Sequence, residues 1–250
     1  MVLAYNRGMA KDKVLDEHVD GDSYNWVADF VYGGIDGSVT TFAVVAGVQG
    51  AGLPASIILI LGFANLFADG FSMSVGKYSS DKAKLEQYDK IESVEFGHLK
   101  ARKYGETKEV REIMGGYGFK GKDLDRATEV VTSNPDAWVD LMMRNEFNMT
   151  RENVNPLKGG IATFASFVLI GFVPLMGYTL SPFLALSFDT IFVLTCFATL
   201  LALFVVGAVK AKFTVRNWFF SGMETLIVGG CAAAIAYFVG YLLQGLAGSI

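Results

Sequence analysis

Long apolar stretches alternate with polar ones along this chain, and their lengths carry the first structural message. A helix that crosses a membrane needs roughly 20 mostly apolar residues. Five stretches meet that length, at about 28–50, 54–78, 158–179, 183–209 and 217–246. Pro54, Pro156 and Pro182 stand at or near segment starts, where the missing N–H of proline is best tolerated. Pro174 falls inside the third stretch and predicts a kink or an early end there. Between the second and third stretches lies a polar block, 80–156, rich in charge and helix formers. Its pattern predicts a long helix over 80–104 that could continue the second span, then a short helix over 106–114 ended by Gly115 and Gly116. Another helix is expected over 122–132, and a last one from Pro135 to about Asn148, capped by Ser133 or Asn134. The fold class is therefore all-α: a multi-pass membrane protein with five transmembrane helices and a helical insert between the second and third. The segments are a lead over 1–26, two spans over 27–79, the insert over 80–156 and three spans over 157–250.

The basic residues orient these segments. All 21 Lys and Arg fall in three places: Arg7 to Lys13, Lys77 to Lys158, and Lys210 to Arg216. The connections between spans one and two and between spans three and four carry none, and neither does the C-terminal tail. With five spans, every basic segment lies on one side, as the positive-inside rule requires. The N-terminus and the insert are then cytosolic and the C-terminus lies opposite. The protein is 52% hydrophobic, 18% charged and has a net charge of -4, which argues against nucleic acid as a partner. The first 26 residues are polar, so no signal peptide is expected. Cys196 and Cys231 lie in apolar runs and read as buried packing thiols rather than a disulfide. His18, in the polar lead, reads as solvated.

Several charged groups fall inside the spans, where each costs at least ~2.5 kcal/mol. Asp36 lies in the first, Asp69 in the second with Met73 one turn later, Asp189 early in the fourth and Glu224 early in the fifth. Asp29, Lys77 and Asp189 stand near span ends and can reach the interface. Asp36 is flanked by Gly33, Gly34 and Gly37, which let another helix come close. An acid there needs a partner, water or an ion, so it is either a hydrogen-bonded packing acid or part of an ion path. The thioether of Met73 beside an acid suits a softer divalent metal such as Fe²⁺.

The insert holds a second set of metal-type groups. Glu95 and His98 are three apart, Glu106, Glu109 and Glu112 follow at steps of three, and Met142 or Met143 stands three or four before Glu146. Such spacings share a helix face. Three faces could therefore aim carboxylates, an imidazole and thioethers at one space. Carboxylate and imidazole suit Fe²⁺, Mn²⁺, Co²⁺ and Zn²⁺, and a thioether disfavours Mg²⁺ and Ca²⁺. Glu95-x-x-His98 has the spacing of ferritin-like di-iron sites, but those use two copies and this chain has one. The competing reading is an ordinary solvated helix face.

The segments DFVYGGIDGSVTTFAVVAGV and GFANLFADGFSMSVGKY resemble the vacuolar iron transporter family, and the resemblance extends over about 25–245. It implies a homodimer that moves Fe²⁺, and often Mn²⁺ or other divalent ions, out of the cytosol in exchange for protons. It implies that Asp36 and Met73 lie on the ion path. Asp69 and Glu224 are further intramembrane acids that could exchange protons, since metal binding requires deprotonated ligands. The resemblance also implies that Glu95, Glu106, Glu109, Met142 or Met143, and Glu146 collect metal. Two positions depart from the family pattern. His98 stands where a glutamate is expected. Lys77 stands where many members have an acid, and a cation there would repel metal at the mouth of the path. The resemblance also implies a plasma membrane location in a prokaryote and a vacuolar-type membrane in a eukaryote, with lipid as the surrounding partner. Beyond the transported metal, no cofactor is implied. The competing classes are a membrane-anchored di-iron ferroxidase and a metal-sensing membrane protein.

Overall fold

Local sequence signals set most of the helix boundaries. The computed structural model describes residues 24–184 and 186–247, and the regular structure among them is all helical. The solvated lead expected around His18 lies outside the described residues. Helix α1 runs Trp26–Gly50, and the Asn25 side chain accepts from the Val27 N–H at its start. Helix α2 runs Ala55–Ala101, 47 residues without a break. No proline interrupts that stretch, so the second apolar span and the first helix of the polar block form one rod.

Three shorter helices follow: α3 (Lys103–Gly116), α4 (Gly121–Thr132) and α5 (Pro135–Asn145). The α3–α4 turn places Gly118 and Gly121 at φ +99 and +54, a region that disfavours any side chain. Asn134 caps α5 by accepting from the Asp136 and Ala137 N–H groups, and Pro135 takes the first position. Helix α5 stops short of the expected Asn148, which instead adopts φ 51 in the return segment.

The third apolar stretch is two helices, α6 (Pro156–Gly171) and α7 (Val173–Leu184), bent by 44°. Pro174 sits in the first turn of α7, where it has no N–H to continue the α6 ladder. The expected kink is therefore a break at Phe172. One boundary differs from expectation. Pro182 lies inside α7 rather than at the start of the fourth stretch. The carbonyl of Tyr178, which a proline at 182 cannot bond, accepts instead from Ser181 Oγ at 2.7 Å. Helix α8 (Phe188–Lys210) begins later, capped by Ser187, and α9 runs Trp218–Ala247. Four helices, α1, α2, α8 and α9, are long and apolar enough to cross a membrane, and the bent α6–α7 pair brings the number to five.

Helix α1 is central and packs on α6, α9, α2, α8 and α7. In an apolar slab the hydrophobic effect does not drive helices together, so close packing has to. Gly37 provides such a contact: a Cβ there would lie 2.5 Å from the Phe167 carbonyl oxygen and 2.8 Å from its Cα. Val45, Val48, Ile58, Leu66, Phe167, Leu175 and Tyr178 fill the core between these helices. Helices α3–α5 build separate cores against the far half of α2. Val110, Met114, Trp138 and Met142 form one, and Tyr88, Val139 and Met143 form the other. The segment after α5 runs back along α2, with Arg151 2.9 Å from Asp89 and Lys84 3.0 Å from Glu152. Cys196 is partly buried as expected, whereas Cys231 is exposed on α9 among the described residues.

Gly37→Ala should lower the thermal midpoint in detergent, equivalent to about 1–3 kcal/mol, because the added methyl forces α1 from α6. Gly97→Ala, where a Cβ meets nothing within 4 Å, should raise it slightly by relieving the helix-interior glycine penalty of ~1 kcal/mol.

Candidate metal centre and transport path

Helix α3 folds back beside the far end of α2, and α5 closes the space. Glu95 of α2 is 1% exposed and Glu106 of α3 is 6% exposed. His98 Nδ1 lies 3.0 Å from Glu95 Oε1. That contact is not aligned as a hydrogen bond, and both oxygens of Glu95 and Oε2 of Glu106 are buried without a hydrogen-bond partner. Glu109 and Glu146 stand at the rim, within electrostatic reach of this pair. Met142 and Met143 on α5 are fully buried and are shared with the two small cores.

The electrostatics follow from this placement. Burial pushes the Glu95 carboxyl above the ordinary range, and Glu146 and Glu109 push the same way, against the opposing pull of His98. Glu106 is raised by burial, then by Glu109 and Glu95. Glu146 is raised by burial, then by Glu109 and Glu106. A carboxyl that is raised in this way favours its protonated form, so a bound cation would relieve both the burial and the repulsion. Among the described residues, no three acid, imidazole or thiol groups already meet in the geometry of a metal site.

Glu112 falls elsewhere. It is exposed and lies 3.7 Å from Lys108. Two steps of three residues fall short of whole turns by about 120° in total, so Glu112 cannot share the direction of Glu106.

A second set of groups runs between α1 and α2. On α2, Asn65, Asp69, Met73, Lys77 and Asp81 recur every four residues, which makes one ridge. On α1, Asp29, Asp36 and Thr40 make the facing row. The helices run in opposite directions, so the rows match end to end. Asp29 meets Lys77 at 3.0 Å and Asn65 Nδ2 donates to Thr40 Oγ1 at 3.4 Å, with Asp36 and Asp69 at intermediate steps of the two rows. Asp36, Asp69 and Met73 are half-buried. Glu224 pairs with Arg216 at 2.8 Å and Lys210 at 3.9 Å near the α8–α9 connection.

Lys77 does not stand as the isolated cation that its sequence position suggests. It lies between Asp29 and Asp81, 2.9 Å from Asp81 Oδ1. The formal charge at this point is negative, so the expected repulsion of metal is offset by its neighbours. The Asp81 pairing had a signal in the four-residue spacing. The Asp29 pairing had none, because it joins two helices.

A family model, for the VIT family, matches residues 27–241. The chain belongs to the VIT family. It is 33% identical over 239 residues to the vacuolar iron transporter of Toxoplasma gondii, spanning 93% of this chain and 79% of that one. It is 31% identical over 237 residues to vacuolar iron transporter 1 of Arabidopsis thaliana, spanning 94% and 93%. It is 32% identical over 213 residues to vacuolar iron transporter 1 of Oryza sativa subsp. japonica, spanning 84% and 82%. The VIT-family match takes in both sets of groups described above. Membership makes the protein an integral membrane transporter rather than an enzyme, which removes the ferroxidase reading.

A raised carboxyl stabilises the fold below its unfolded value, near 4.5, and that stability is lost as pH rises through the folded value. Glu95→Gln should therefore raise the thermal midpoint of the metal-free VIT-family protein at pH 7, by the equivalent of about 1 kcal/mol, and flatten its fall with rising pH. Trp138 fluorescence, read in a background with Trp26→Phe and Trp218→Phe, would report the unfolding of this region. A midpoint that drops at pH 7 would show that Glu95 is satisfied by a partner other than metal.

Proposed function

We propose that this VIT-family protein carries Fe²⁺, together with Mn²⁺ and related divalent ions, out of the cytosol in exchange for protons. The observation that carries the reading is the unbroken helix α2. It bears Glu95 of the insert cluster and the ridge of Asp69 and Met73 on the same rod. The names of the relatives as vacuolar iron transporters support iron as the cargo.

In this reading the protein crosses the membrane five times, with α6 and α7 as one bent span. The N-terminus and helices α3–α5 face the cytosol, because every basic residue then lies on one side. The domains are the lead over 1–26, the spans over 27–79 and 157–250, and the insert over 80–156. Glu95, His98, Glu106, Glu109 and Glu146 capture the ion, and Met142 or Met143 adds a thioether if α5 shifts. The negative cluster raises the local cation concentration. The ion then meets Met73, Asp69 and Asp36 between α1 and α2. Its carboxylate ligands must be deprotonated to bind it, so each loading releases protons that can cross in the other direction. Two copies related by symmetry would enclose a polar path that one copy leaves half-open, and the exposed Phe67, Phe71 and Val75 on α2 supply a face for the second copy. The membrane is a vacuolar-type membrane in a eukaryote or the plasma membrane in a prokaryote.

In proteoliposomes with an acidic lumen, Fe²⁺ uptake should be accompanied by proton efflux, and Asp36→Ala should lower both by tenfold or more, since it removes an intramembrane ligand that nothing else replaces. Uptake that persists at the parent rate in Asp36→Ala would rule out this path. Uptake indifferent to the proton gradient would rule out exchange.

A further inference from the structure

The Lys77 junction has features that a simple salt bridge does not need. Asp29 and Asp81 present two carboxylates to one ammonium, with side chains only 13% and 3% exposed. Asp81 Oδ2 is buried and has no hydrogen-bond partner, although Oδ1 of the same group holds Lys77. The Tyr24 hydroxyl donates to Asp29 Oδ2. Gly159, in the first turn of α6, leaves open the space these groups share. A Cβ there would lie 2.6 Å from the Tyr24 hydroxyl, 3.2 Å from Asp81 Oδ2 and 3.3 Å from Asp29 Oδ2. Three oxygens thus converge beside the ammonium, and one of them lacks any partner. A buried carboxylate oxygen left bare is costly, and two carboxylates around one monovalent charge leave a negative surplus.

The place of this junction matters as much as its chemistry. It is the first step of the ridge that continues through Met73 to Asp69. It is also the end nearest Glu95, which stands 14 residues beyond Asp81 and so about 21 Å further along α2.

We propose that Asp29 and Asp81, with the Tyr24 oxygen, form a cation site that the Lys77 ammonium fills at rest, and that a divalent cation must displace Lys77 there to reach Met73, Asp69 and Asp36. The side chain of Lys77 is a cation tethered by four methylenes, so it is able to leave without being lost. It is 24% exposed, which gives it a way out toward solvent. An all-oxygen set of two carboxylates and a phenol suits hard divalent ions, Mn²⁺ among them together with Mg²⁺ and Ca²⁺. The tethered ammonium keeps the site from standing open to the monovalent cations of the cell, and only a doubly charged competitor neutralises both carboxylates. The order of passage rests on the transport reading above. The existence of the site does not.

Mn²⁺ binding to the full-length protein in detergent, counted by equilibrium dialysis and by loss of the free-ion spin resonance signal, tests the site. At free Mn²⁺ too low to displace the ammonium in the parent, Lys77→Gln should bind one more Mn²⁺ per chain than the parent, and Lys77→Gln combined with Asp81→Asn should lose that ion again. A Lys77→Gln protein with the parent's count would overturn the proposal. Lys77→Arg, which keeps the charge and holds carboxylates more firmly, guards against a variant that fails to fold. It should raise the half-saturating Mn²⁺ for uptake into proteoliposomes by roughly threefold or more with no fall in thermal midpoint, and an unchanged value would count against displacement. The extra ion in Lys77→Gln needs no flux, so a parent that moves neither Fe²⁺ nor Mn²⁺ would sink the transport reading alone. A parent that transports while Lys77→Gln gains no ion would sink this site alone.

Discussion

The continuous hydrogen-bonded backbone of α2 is the constraint on which the rest depends. A helix of 47 residues has a fixed rise and a fixed rotation per residue. The direction of every side chain from Asn65 to Glu95 is therefore set once any of them is placed. The close fit of α1 and α6 around Gly37 and Phe167 places one end of that rod. The cores around Trp138 and Tyr88 place the other. Side chains on α2 that lie many turns apart thus keep one register, and no hinge falls between them.

Two kinds of polar burial coexist along the rod, and they have opposite energetic character. At Lys77 one ammonium is shared by two carboxylates, and α1 and α2 are held together with α6 close above. At Glu95 and Glu106 the carboxylates are buried together with little to neutralise them. A fold that selected only for stability would not keep the second arrangement, because buried unpartnered acids work against it. Its retention is understandable if the free energy is recovered when a cation binds. The acids then act as a spring held open by their own repulsion.

Much of this was legible in the sequence where the deciding forces are local. The length of the apolar runs, the absence of proline across α2 and the Asn134–Pro135 start of α5 all act within a few residues. The three-residue spacing of Glu95 and His98 likewise put them in contact. What could not be read depends on distant partners. The Asp29–Lys77 bridge joins two helices. Glu112 shares a spacing with Glu106 but not a direction, and only the packing of α3 on its neighbours decides which of the two is buried. Pro182 looked like a boundary because a proline cannot be bonded through its nitrogen. Ser181 supplies the substitute bond, so the helix continues.

The burial of Met142 and Met143 has a chemical consequence of its own. Both thioethers are fully sequestered, each in a different small core. Oxidation to the sulfoxide would make each side chain polar and enlarge it by an oxygen, in surroundings that are otherwise mostly apolar. A protein that handles a redox-active metal would expose its methionines to oxidants if they lined an open basin. Enclosed as they are, the sulfurs are shielded from peroxide and similar oxidants until α5 moves, so the same packing that stabilises the insert also acts as an antioxidant barrier.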